Sequence, residues 1–114
     1  MQANLETIIL NLDNDDKVLS NIRCSLEVFI TRNTMRPGIL AATQNKLIFC
    51  ADSFASNELT EIYQYKDISD IVLKKGIMNK YISIKHKEDI VRFTHLTSAN
   101  VEDFITTIKS KISK

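Results

Sequence analysis

Gly38-Ile39-Leu40-Ala41-Ala42-Thr43-Gln44-Asn45-Lys46-Leu47-Ile48-Phe49-Cys50 is the stretch whose reading decides the fold. A short apolar run, a polar connection and a second apolar run follow one another with no room for a helix, which predicts a tight β-hairpin. Thr43, Gln44, Asn45 and Lys46 supply the connection, and Asn45 tolerates the left-handed backbone that such turns often need.

Upstream of the hairpin, Ile22, Cys24, Leu26, Val28 and Ile30 alternate with Arg23, Ser25, Glu27, Phe29 and Thr31, the period of a strand with one buried face. The segment Arg32 to Gly38 holds the only proline and one of the two glycines, and reads as a loop. Downstream, the polar break Asp52 to Glu58 precedes a fourth strand over Leu59 to Tyr65. Ile68, Ile71 and Leu73 predict a fifth strand stopping at Lys75-Gly76. Two more follow, Tyr81 to Lys85 and Ile90 to His95, joined by a turn at Lys87-Glu88-Asp89.

Both ends change period. Val101, Phe104, Ile105, Ile108 and Ile112 form an apolar stripe at helical spacing, with Thr97 or Ser98 as N-cap, Glu102 and Asp103 in the first turn, and Lys109, Lys111 and Lys114 near the end. Leu5, Ile8, Ile9 and Leu12 predict a short amphipathic helix, ended by the turn-prone acidic cluster Asp13 to Asp16. That helix has three open fates: packing on its own barrel, pairing with another copy, or binding a partner. The expected organisation is an N-terminal amphipathic segment over 1–15 and one domain over 16–114.

With 114 residues, 44% of them hydrophobic and 25% charged, the chain has enough apolar content for a core without metals or disulfides. A net charge of +1 gives no field strong enough to make nucleic acid a partner, so any anion binding must be local. Cys24 and Cys50 fit no metal-ligand spacing and read as reduced core residues. Neither a signal peptide nor a run of about 18 apolar residues is evident, so the expected location is cytoplasmic, with the inner face of the membrane as a peripheral alternative.

About seven short strands and a C-terminal helix, with no helix between strands, exclude a doubly wound α/β fold and predict a mainly β architecture: a small antiparallel barrel closed by one helix. This order resembles the bacterial pleckstrin-homology-like (PH-like) domains of the YokE-like group, which are related in shape to GRAM domains. The residues that carry the likeness are Gly38 to Thr43 with Asn45 to Phe49, then Tyr65-Lys66-Asp67-Ile68-Ser69-Asp70-Ile71 with Lys74-Lys75-Gly76, and the last helix. The resemblance implies a PH-like barrel of two bent antiparallel sheets packed nearly orthogonally, with the helix plugging one open end. It implies a fold, not an activity. Lipid-binding members of the wider superfamily carry a basic cluster across the first two strands; here that region offers Arg32 and Arg36 alone.

The candidate site for an anionic ligand or partner is Lys74, Lys75 and Lys80 around one turn, with Arg32 and Arg36 from another loop; the plain alternative is a rim of edge-guarding lysines. His86 and His95 read as ordinary strand histidines, and Asp13, Asp15 and Asp16 lack the glycine and closing glutamate of a calcium loop. Tyr63, Tyr65 and Tyr81 read as packing residues. Nothing assembles into an enzyme constellation, so no catalytic residue, metal or cofactor is expected. The functional expectation is a non-enzymatic binding module whose partner is a protein or peptide, at a strand edge or beside the last helix. Weak electrostatic attachment to anionic lipid is the alternative, nucleic acid is not expected, and homo-oligomerisation stays open.

Overall fold

The computed structural model describes residues 5–10, 12–29, 33–51, 60–75, 80–96 and 100–112. In chain order these form α1 (Leu5–Leu10), β1 (Val18–Phe29), β2 (Asn33–Thr43), β3 (Lys46–Ala51), β4 (Thr60–Gln64), a single 3₁₀ turn (Tyr65–Asp67), β5 (Ile68–Lys75), β6 (Lys80–His86), β7 (Asp89–Thr94) and α2 (Val101–Ile112). The strands form one antiparallel sheet in the order β4-β3-β2-β1-β7-β6-β5. The two halves of the sheet are joined through β1 and β7, where Ser25 pairs with Thr94 and Leu26 with Phe93.

Ring contacts show that the sheet closes on itself. β4 and β6 stand five strand spacings apart, about 24 Å on a flat sheet. Yet the Tyr63 and His86 rings meet edge to face at 5.1 Å, and Phe49 of β3 lies 5.5 Å from Phe93 of β7. The interior so enclosed holds Ile22, Cys24, Leu26, Leu40, Leu47, Ile71, Ile82 and Ile84, and α2 covers it with Phe104, Ile105 and Ile108. The helix packs on β5, β1, β2 and the 3₁₀ turn. Its expected caps, Thr97 and Ser98, lie outside the described residues. The Asn100 carbonyl accepts the first helical bond, from the Phe104 amide at 3.0 Å, while the Asn100 side chain donates to the Asn21 carbonyl of β1 at 3.2 Å.

One element differs from its sequence reading. β2 begins at Asn33, so Pro37 and Gly38 lie inside a strand and not in a loop. The β2–β3 ladder of the described residues starts at Gly38 opposite Ala51, so among those residues Pro37 has β1 alone beside it, the half-open position where a residue without an N–H is tolerated.

The β2–β3 turn is anchored from outside the hairpin. Asp16, whose side chain has no exposed surface, accepts Thr43 Oγ1 at 2.9 Å and Lys46 Nζ at 3.4 Å on Oδ2, and the Lys17 and Asn45 amides at 2.8 and 3.2 Å on Oδ1. Tyr65 then donates its hydroxyl to the Thr43 carbonyl at 2.6 Å, tying the 3₁₀ turn to the same corner. Burial alone would raise the Asp16 carboxyl; the hydrogen bonds from Thr43, the two amides and Lys46 outweigh it and hold it below its ordinary 3.8. A lowered folded-state value gives stabilisation that is complete above the ordinary carboxylate range and is lost as pH falls through the folded value. Asp16→Asn should therefore cost about 1–3 kcal/mol at neutral pH. Urea titrations should show the gap from wild type closing below pH about 4; a gap that stays constant with pH would refute the charge-based account.

Cys24 faces the interior and Cys50 the opposite side of the sheet; both are buried and neither is in a disulfide. Burial pushes the Cys24 thiol up to about 12, leaving it inert at neutral pH.

Candidate binding surface

Alternation along β5 and β6 puts Ile71, Leu73, Ile82 and Ile84 on the inner face and Val72, Lys74, Tyr81 and Lys85 on the outer one, while Lys75 and Lys80 continue the inner rows at their exposed end. Ile71 and Leu73 of β5 stand opposite Ile84 and Ile82 of β6, whereas Lys74 stands opposite Tyr81, and Lys75 faces Lys80. All three lysines are exposed. A like-charge pair directly across two strands is unfavourable in the free protein and is relieved by a bound anion. On the outer face, Arg92 of β7 lies over the Tyr81 ring at 5.8 Å, and Lys85 stands opposite Asp70 and Ile90. Val72, Lys74, Tyr81, Lys85 and Arg92 thus share one basic face with Asp70 as its acid.

Of the two arginines of the candidate set, only the backbone of Arg36 is among the described residues. Arg32 lies outside the described residues. Arg36 is in β2 opposite Leu26, which stands opposite Phe93, which stands opposite Ile82. Three strands separate Arg36 from β5, about 19 Å along the sheet. The order in which β7 inserts beside β1 sets that distance, and no local signal in the sequence carries it.

A second feature escapes residue-by-residue reading. β5 ends the sheet, paired among the described strands with β6 alone, and α2 packs beside it. Ser69, Asp70, Val72, Lys74 and Lys75 are exposed along it and Leu73 is half-buried. Among the described residues no second strand lies along its outer edge, which is next to both a helix and a basic strand end. β4 is the other edge, shorter at five residues.

The remaining polar candidates have structural partners. The His86 ring packs on Tyr63, and His95 Nδ1 lies 3.1 Å from Thr94 Oγ1. Among the described residues no group of three or more His, Cys, Asp or Glu side chains is placed to hold a metal ion, and no described helix is long and apolar enough to cross a membrane.

Residues 12–110 match the model of the family described as bacterial PH domain. Solved structures also share the fold, two of them as follows. The C-terminal domain of an unknown protein from Leishmania infantum aligns with a TM-score of 0.72 at 19% identity, covering 97% of this chain and 100% of that one. The pleckstrin homology domain of USP37 aligns with a TM-score of 0.53 at 14% identity, covering 81% and 95% respectively. No curated protein matches the chain.

Proposed function

The chain belongs to the bacterial PH domain family, and from that premise we propose that it is a non-enzymatic, cytoplasmic module binding an extended peptide segment of a partner protein along β5. PH-like domains generally serve as binding modules. The observation that carries the reading is the open β5 edge with α2 beside it: main-chain hydrogen bonds supply affinity, and the side chains flanking the edge supply selection. Lys74 and Lys75 at the end of the strand favour acidic residues in the peptide.

A test is selection of 15-residue peptides from a random library on the wild-type chain, followed by amide chemical-shift mapping. Shifts concentrated on Ile68 to Lys75, with affinity reduced at least about tenfold in Lys74→Glu/Lys75→Glu, are expected. Shifts mapping to other strands would overturn the edge reading.

The Lys75–Lys80 pair supports a second reading, reversible attachment to anionic membrane. Three lysines near such a surface contribute about 1 kcal/mol each. Co-sedimentation with phosphatidylserine-containing vesicles separates the two. Binding near 0.15 M salt that the double substitution abolishes supports the membrane; its absence leaves the peptide reading alone.

A further inference from the structure

The outer face of β1 to β4 plays no part in the β5 edge, and α1 lies across it. Ile8 is fully buried against Ala41, Ile48 and Cys50, with Val18 and Ile39 around them. The next two residues are largely in solvent, Ile9 at 52% and Leu10 at 86% exposure. A helix of six residues has no stability of its own, and elements with few buried contacts open at lower free energy than the body that carries them. Asp16 pins the following chain to the β2–β3 turn, so release of α1 stops there and leaves β1 in place. A groove of ≈ 550 Å³ already runs beside the helix, with Ile9, Leu12, Val18 and Leu19 among its walls.

We propose that α1 is a releasable strap, and that the face beneath it accepts the α1 segment of a second copy, giving an exchanged dimer. The occupant follows from α1 itself: this segment already fills the Ile8 site, and exchange repeats the same contact twice without requiring a new one. The uncovered face runs on into Ile62 of β4, which stands opposite Ile48 and is 47% exposed.

The two thiols make the device measurable in the full chain, because Cys24 reports on the interior and Cys50 on the strapped face. Labelling with an aromatic disulfide reagent, assigned by peptide mass, should modify Cys50 at least about tenfold faster than Cys24, with a rate insensitive to low urea. Ile8→Glu should raise the Cys50 rate about tenfold further and leave Cys24 unchanged. A synthetic peptide of residues 1–12 at about millimolar concentration, the effective concentration that a short linker imposes, should return the Ile8→Glu chain towards the wild-type rate. The same peptide carrying Ile8→Glu should not. Equal rates for the two thiols with one urea dependence would show that α1 opens only with the barrel, and equal acceleration of both in Ile8→Glu would place Ile8 in the barrel's own core. Either result refutes the strap, and a peptide that fails to protect Cys50 refutes the exchange.

Discussion

Phe104→Ala is expected to destabilise the domain by about 3–5 kcal/mol, the loss typical of truncating a fully buried aromatic ring. Phe104 has no exposed surface and sits with Ile105 and Ile108 in the same cluster as Ile22, Leu40, Ile71 and Phe93. The cluster includes residues from both halves of the sheet, and α2 packs on β1 and β2 from one half and on β5 from the other. Removing the ring leaves a cavity where those halves meet, in a position that a rolled sheet cannot close without moving its ladder. The melting temperature should fall by about 10–30 °C. Lys109→Ala, on the exposed side of the helix, should stay within about 0.5 kcal/mol of wild type. A Phe104→Ala chain that melts with the wild type would mean that α2 is not docked on the barrel.

Much of this architecture is legible in the sequence because the physics that produces it is local. Ile22, Cys24 and Leu26 alternate, and all three are interior; Phe104, Ile105 and Ile108 recur at helical spacing, and all three are buried. What escapes is non-local. Asp16 reads as one more acid in a turn-prone run, yet its partners Thr43 and Lys46 lie 27 and 30 residues away, and only the folded hairpin brings them to it. The N-terminal stripe predicts a helix but not which of its three fates it meets, and in the fold Ile8 packs on the chain's own sheet. Among the basic residues, Lys75 and Lys80 stand opposite one another on neighbouring strands, with Lys74 on the other face of β5. Arg36 is held three strands away by the β1–β7 closure, a pairing of segments some 70 residues apart in the chain. The open β5 edge likewise follows from strand order, which residue pattern does not encode.

Gly38→Ala carries the second large effect, because the obstacle to a methyl group is backbone. A Cβ at position 38 would lie 2.3 Å from the Cys50 carbonyl oxygen, 2.7 Å from the Ala51 Cα and 2.9 Å from Phe49 Cζ. The Phe49 ring is fully buried and rests against Phe93, so it has little freedom to retreat. The other two atoms belong to β3 itself, and relief requires β2 and β3 to separate where Gly38 pairs with Ala51, the first rung of their ladder. Overpacking of this kind costs about 1–3 kcal/mol when side chains absorb it and more when backbone must move, so a loss of about 3 kcal/mol or more is expected. Opening that rung also disturbs Cys50 and its contact with the outer cluster beneath α1. Amide exchange at Ile39 and Cys50 should then accelerate more than at Ile82 and Ile84 in β6, on the far side of the β1–β7 closure. Uniform acceleration at both sites would mean that the clash is spread through the barrel, and an unchanged melting temperature would show that the two strands do not approach this closely.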